Sequence, residues 1–274
     1  MKFHKKKITS KIDKFKNNNR LNKNKFPIDK IKSPSNQNFF LWGKHALEAA
    51  IINKKRNIIK VYHTSEMCDW INEKLKNSNR SSEKLNEIEK KDLEDHALSS
   101  PHQGVMAEVE PLTWLHLEDY VEQNTDNMCL VLLDQLTNSQ NIGSILRTAS
   151  AFNVDGVVIT KNNTPMENGV MARAAAGAIE TMPLIRVTNL SRSIEYLKKN
   201  NFFVIGLEKH GKENISECVG NPQTALVLGS ENLGLRRLTK EKLSTSAKIP
   251  IAVQTESLNV SNAAAIALYV IQNN

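Results

Sequence analysis

Three short stretches in the second half of the chain set hydrogen-bonding side chains beside glycine where an apolar run meets a helix-like run. The first is Asn141-Ile142-Gly143-Ser144-Ile145-Leu146-Arg147, and the second is Leu226-Val227-Leu228-Gly229-Ser230-Glu231-Asn232-Leu233-Gly234. The third starts at Ile249-Pro250-Ile251 and runs on to Ser257-Leu258-Asn259-Val260-Ser261-Asn262. Amide, hydroxyl and carboxylate groups can hold a ribose or an amine in place, and an arginine can grip an anion through its planar fork of donors. Each stretch also has a plain structural use. Asn141 can cap a helix and leave Arg147 as a surface cation. Glu231 between Gly229 and Gly234 fits a tight turn as well as it fits a site. Ser257, Asn259 and Ser261 can cap the helix that follows, or serve a ligand through the exposed amides of its first turn.

The elements around these stretches place them alike. Met128 to Leu133 is an unbroken apolar run, as a strand buried on both faces requires. Helix 141–152, strand 154–160, an Ala-rich helix 168–179, strand 184–187, helix 190–200 and strands 202–207, 224–229 and 247–252 follow, with a closing helix over 260–272. Strands alternating with helices predict an α/β fold with a mostly parallel sheet covered on both faces. In such sheets ligands bind just beyond the carboxyl ends of the strands, where all three stretches fall. No Gly-x-Gly-x-x-Gly follows a strand and no P-loop is present, so a nucleotide-like ligand must be held another way.

Upstream, residues 39–112 read as a small α/β domain. It comprises the apolar cluster Phe39-Phe40-Leu41-Trp42-Gly43, a helix over 44–53, a strand over 58–63, a helix over 66–76 and a strand over 103–109. The charged stretch 77–96 has no clear pattern, and the polar stretch 113–127 reads as a linker to a second domain over 128–274.

Charge is unevenly placed. The 274 residues carry a formal net charge of +8, but residues 1–38 hold 12 Lys/Arg against two Asp, leaving 25 Lys/Arg against 27 acids in the remainder. The basic character therefore belongs to an N-terminal arm, predicted to be disordered and suited to a polyanion. No apolar run follows the basic start and none reaches the roughly 18 residues of a membrane span, so no membrane association is expected and a cytoplasmic location is. Cys68, Cys129 and Cys218 are widely spaced and include no Cys-x-x-Cys, which suits reduced thiols and predicts no metal site.

In this order and spacing, the three stretches together resemble the motifs of the SpoU (TrmH) branch of the SPOUT RNA methyltransferases. The resemblance covers about 128–273, and Pro183-Leu184-Ile185-Arg186-Val187-Thr188-Asn189-Leu190 looks like its ribosomal-RNA members. Trp42-Gly43-Lys44-His45-Ala46 and His102-Gln103-Gly104-Val105 look like the small RNA-binding domain that precedes the catalytic domain in those members, closest to the 23S rRNA guanosine 2′-O-methyltransferase group. The resemblance implies a C-terminal trefoil knot in the sheet, S-adenosylmethionine as cofactor, a homodimer, and methyl transfer to a ribose 2′-hydroxyl of ribosomal RNA; the alternatives are a tRNA substrate, or a non-catalytic RNA-binding or ribosome-assembly factor that keeps the fold. It implies that Gly229, Ile249, Leu258 and Ser257 hold the cofactor, and that Arg147, Asn141, Glu231 and Asn259 serve the reaction.

Overall fold

The computed structural model describes residues 37–80, 85–97, 100–124, 127–231 and 233–273. Residues 1–36 of the basic arm and Asn232 of the second stretch lie outside the described residues. The first part of the chain forms β1 (Phe39–Trp42), α1 (Lys44–Ile52), β2 (Ile58–His63), α2 (Cys68–Asn77), β3 (Leu85–Glu87), α3 (Lys90–His96) and β4 (Val105–Val109). These strands make a four-stranded sheet in the order β1-β4-β2-β3, with β4 antiparallel to both neighbours. The charged stretch with no clear pattern thus supplies an edge strand and a helix. The edge strand is parallel to β2, and Leu93 anchors the helix in the interior.

The rest of the chain is α4 (Leu117–Gln123), β5 (Cys129–Asp134), α5 (Ser139–Ala151), β6 (Gly156–Thr160), α6 (Gly169–Ala175), β7 (Leu184–Val187), α7 (Leu190–Lys199), β8 (Phe203–Leu207), β9 (Glu213–Asn214), β10 (Thr224–Gly229), α8 (Arg237–Lys240), β11 (Thr245–Lys248) and α9 (Val260–Gln272). Its seven strands pair in the order β7-β6-β5-β10-β8-β11-β9, and every pairing is parallel. The mostly parallel α/β sheet read from the sequence is therefore observed. The central β5 and β10 are buried along almost their whole length. Apolar side chains on both faces exclude water from both sides of the ladder. Among the described residues no helix is long and apolar enough to cross a membrane.

Four local expectations are corrected. The polar 113–127 stretch carries α4, whose Leu117 and Val121 are buried against Ile185 and Leu190. Leu115 adds a parallel bridge to Ile185 at the sheet edge, with Leu115 N–H donating to the Leu184 carbonyl at 2.9 Å. The Ala-rich helix stops at Ala175 because Ala176 and Gly177 turn left-handed, at φ 49° and 95°. The strand expected over 247–252 ends at Lys248, since β8 stops opposite Ala247 and β9 opposite Lys248. Finally, α5 starts at Ser139 and is capped by Asn138, whose side chain accepts from the N–H groups of Gln140 and Asn141. Asn141 is therefore inside the helix, and its amide is free for another task.

Two contacts hold the elements near the site. Gly143 of α5 lies against α6 so closely that a Cβ there would meet the Met171 carbonyl at 2.3 Å. Glycine at this point is a requirement of helix packing. At the joint between the two sheets, Arg56 donates to Glu167, to Glu180 at 2.7 Å and to the Glu110 carbonyl at 2.7 Å. Asn53 Nδ2 also donates to Glu180 at 2.9 Å, and Leu112 N–H donates to Glu167 at 2.9 Å. Arg56, Glu167 and Glu180 are all buried.

Candidate active site

The carboxyl ends of β8 and β10, the β10–α8 loop and the segment between β11 and α9 surround an open cavity of about 560 Å³. That volume is in the range of small-molecule and cofactor sites. Gly229, Ile249, Ser257 and Leu258, the four residues expected to hold a cofactor, all line it. Gly229 is required where it stands, because a Cβ there would meet the Gly234 carbonyl carbon at 2.3 Å. The β10–α8 loop folds back on itself through Gly234 N–H donating to the Ser230 carbonyl at 2.8 Å, and Gly234 adopts φ 62°. The wall mixes apolar Leu228, Ile249, Leu258 and Val260 with the polar Ser230 and Ser257. An adenosine with an amino-acid tail needs this kind of mixed surface.

Three of the four residues expected to serve the reaction come together at the rim. Asn141 Nδ2 donates to Glu231 Oε1, and Asn259 Nδ2 donates to Asn141 Oδ1 at 3.3 Å. Asn259 is also the cap of α9, its Oδ1 accepting from Ser261 N–H at 2.9 Å and from Ser261 Oγ at 2.6 Å. The chain thus joins all three stretches in one hydrogen-bonded line, Glu231 to Asn141 to Asn259, across 118 residues of sequence. Asn141 is buried, so its amide orientation is fixed by these two partners.

Arg147 stands apart. It lies on α5 six residues beyond Asn141, is exposed, and its side chain makes no hydrogen bond or ion pair to any other described residue. Its guanidinium is free to meet an anion from solution. The segment 251–257 between β11 and α9 is exposed throughout, with Val253 98% accessible, and Leu233 at the tip of the β10–α8 loop is 85% accessible.

The cavity also has a wall that sequence reasoning missed. Leu207, Glu208, Lys209 and His210, at and beyond the carboxyl end of the neighbouring strand β8, also line it. Glu208 is paired with Lys240 of α8. The available signal was positional: β8 ends level with β10, and ligands collect beyond such ends.

The chain is similar to known proteins over most of its length. Residues 128–269 match the SpoU rRNA methylase family, and residues 40–115 match the family described as RNA 2′-O ribose methyltransferase substrate binding. A Staphylococcus aureus protein named for the TrmH family of tRNA/rRNA methyltransferases is 35% identical over 230 residues, 83% of this chain and 92% of the relative. A Staphylococcus saprophyticus protein of the same name is 37% identical over 231 residues, with the same coverage. Among solved structures, the SpoU methyltransferase AviRb from Streptomyces viridochromogenes, in complex with AdoMet, superposes with a TM-score of 0.72 at 22% identity. That match covers 85% of this chain and 89% of the other.

Proposed function

Because this chain belongs to the SpoU rRNA methylase family, we propose that it transfers a methyl group from S-adenosylmethionine to a ribose 2′-hydroxyl of structured RNA, acting in the cytoplasm on a guanosine of 23S ribosomal RNA. The observation that carries this reading is the Glu231–Asn141–Asn259 line at the rim of a cavity walled by Gly229, Ile249, Ser257 and Leu258. The match of residues 40–115 to a 2′-O ribose methyltransferase substrate-binding family supports the ribose as acceptor. In this reading residues 39–112 bind RNA and residues 128–274 carry the chemistry.

The cofactor supplies a methyl carbon on a sulfonium, whose departing thioether is a good leaving group. The backbone at Gly229, Ile249 and Leu258 would hold its adenosine, and Ser257 would shape the methyl end. The protein's main task is then alignment of the 2′-oxygen at roughly 3 Å from that carbon. Asn141 fixes one oxygen of Glu231 and leaves the other to accept from the ribose hydroxyl. Arg147 orients the target phosphate or ribose and stabilises charge developing on the oxygen. A guanidinium, with its pKa above roughly 12, does not act as the base.

A second copy of the chain completes this site in the proposed homodimer. The exposed Leu233 and Val253 beside the cavity are residues such a partner would cover. The order of β10 between β5 and β8, with α9 returning to pack on α5, is consistent with the knotted arrangement of the family. The test is mass-spectrometric nucleoside mapping of 23S rRNA and tRNA from cells with and without this gene. Loss of one 2′-O-methylguanosine in 23S rRNA is the expected result. Loss of a tRNA mark would keep the chemistry and change the substrate, and no lost mark would refute the methyltransferase reading.

A further inference from the structure

Asp134 is the last residue of β5, is 1% accessible, and stands in register beside Gly229 of β10. Its carboxylate is spent entirely on one neighbour. Oδ2 accepts from the Arg236 backbone N–H at 3.0 Å, and Oδ1 accepts from Arg236 Nε at 2.6 Å. Arg236 ends the β10–α8 loop that carries Glu231. Neither Asp134 nor Arg236 lines the cavity.

Among the described residues of the loop, the Gly234 to Ser230 hydrogen bond closes the turn, Leu235 is buried in the core, and Glu231 accepts from Asn141, while Leu233 is exposed. The turn bond fixes the loop's internal shape but not its placement over the sheet. Leu235 sets the depth of the loop's far end in the core, and the anchor on the next residue, Arg236, adds a directional tie to the strand that leads into Asn141. We infer that Asp134 and Arg236 are positioning residues for methyl transfer: they pin the β10–α8 loop to β5 so that the Glu231 carboxylate meets the Asn141 amide. A two-point grip on both backbone and side chain of one residue restricts rotation as well as translation. It is therefore suited to aiming a carboxylate a few residues away. This inference rests on Glu231 serving the reaction as proposed above.

A staple that only stabilised the fold would act independently of Glu231, and a double-mutant cycle separates the two. The substrate is ribosomal RNA from cells lacking the gene, with a tritiated methyl donor. Arg236→Gln is the first variant, because Arg236 is partly exposed and keeps its backbone bond to Asp134. It is expected to lower the rate at saturating RNA and cofactor by about tenfold, with the RNA KM unchanged, as coupled residues in one network do. In a Glu231→Gln background the same change is expected to cost less than about twofold. A full repeat of the loss in that background, or no loss in the parent protein, would overturn the inference. Should Arg236→Gln not give a cooperative melt, Arg236→Lys carries the same cycle, since it keeps the cation while losing the Nε contact. A parent protein that binds S-adenosylhomocysteine yet methylates no RNA would count against the functional reading instead. The cycle is then read on S-adenosylhomocysteine affinity by calorimetry, because the pinned loop lines the cavity through Ser230 and Glu231.

Discussion

Arg56 and Arg147 show two ways this chain uses an arginine. At the joint between the two sheets, Arg56 is shut away from water and its donors are taken by Glu167, Glu180 and the Glu110 carbonyl. On α5, six residues beyond Asn141, Arg147 is exposed and its side chain makes no hydrogen bond or ion pair to any described residue. A buried charge must be matched within the fold, because desolvation is costly unless hydrogen bonds and opposite charge replace water. An exposed charge is under no such demand and stays available for a partner from outside. The difference separates a group that holds the molecule together from one left available to a partner from outside.

The largest effect should come from breaking the matched cluster. Arg56→Ala leaves two buried carboxylates without their cation, and removal of one partner from a buried pair typically costs about 3–5 kcal/mol. Burial already pushes the Glu167 carboxyl above its usual range, against the pull of Arg56. Without Arg56 that opposition is gone, so the expected result is a sharp loss of stability in urea titration. A loss below about 1 kcal/mol would mean that water reaches the joint and that the comparison with Arg147 is misdrawn.

The opposite pattern is expected at Arg147. Arg147→Ala should leave stability within about 0.5 kcal/mol, as for a surface residue without partners. Single-turnover methyl transfer should fall by roughly 10²–10³, the usual loss when one donor to a developing oxyanion is removed. Arg147→Lys keeps the charge but not the fork, and should fall between the two. Full activity in the alanine variant would make Arg147 an ordinary surface cation, as the isolated spacing of Asn141 and Arg147 equally allowed.

This contrast also marks how far the sequence could be read. Apolar runs gave β5 and β10 to within a residue because burial on both faces leaves only one kind of side chain there. The four residues expected to hold a cofactor line one cavity because the motifs that carry the resemblance sit at the ends of β10 and β11 and just before α9, which the parallel sheet brings together. What escaped depended on partners far away in the chain. Arg56 meets Glu180 across 124 residues and Asp134 meets Arg236 across 102, and no local pattern signals either. The 113–127 stretch looked like a linker because its surface is polar, yet Leu117 and Val121 are enough to dock α4. Asn141 was readable as a cap, but Asn138 took that task because α5 begins two residues earlier than the apolar pattern does.

Buried Cys129 tests the burial half of the comparison without an ion pair. Burial pushes its thiol up to about 12 from 9.0. A group whose folded pKa is raised contributes stability that is complete below the unfolded value and is lost as pH rises towards the folded one. Between pH 9 and about 12 the parent protein should therefore lose about 1.4 kcal/mol per pH unit relative to Cys129→Ala. Parallel stability curves for the two proteins over that window would show that the thiol ionises freely in the folded state.

The smallest effect separates two duties held by one side chain. Asn259 caps α9 through Oδ1 and reaches Asn141 through Nδ2. A serine can accept from the helix N–H groups but is too short to donate to Asn141. Asn259→Ser should thus keep stability within a few tenths of a kcal/mol, whereas Asn259→Ala should lose about 1 kcal/mol with the cap. Both variants lose the amide that completes the line from Glu231. Both should therefore lose methyl-transfer rate alike, by about fivefold to tenfold, the worth of one hydrogen bond of about 1 kcal/mol or slightly more. A faster serine variant, with the stability difference as expected, would show that the cap, by setting the start of α9, matters to the chemistry. Equal rates with unequal stability would confine the cap to folding and leave the Asn141 contact as the functional part of Asn259.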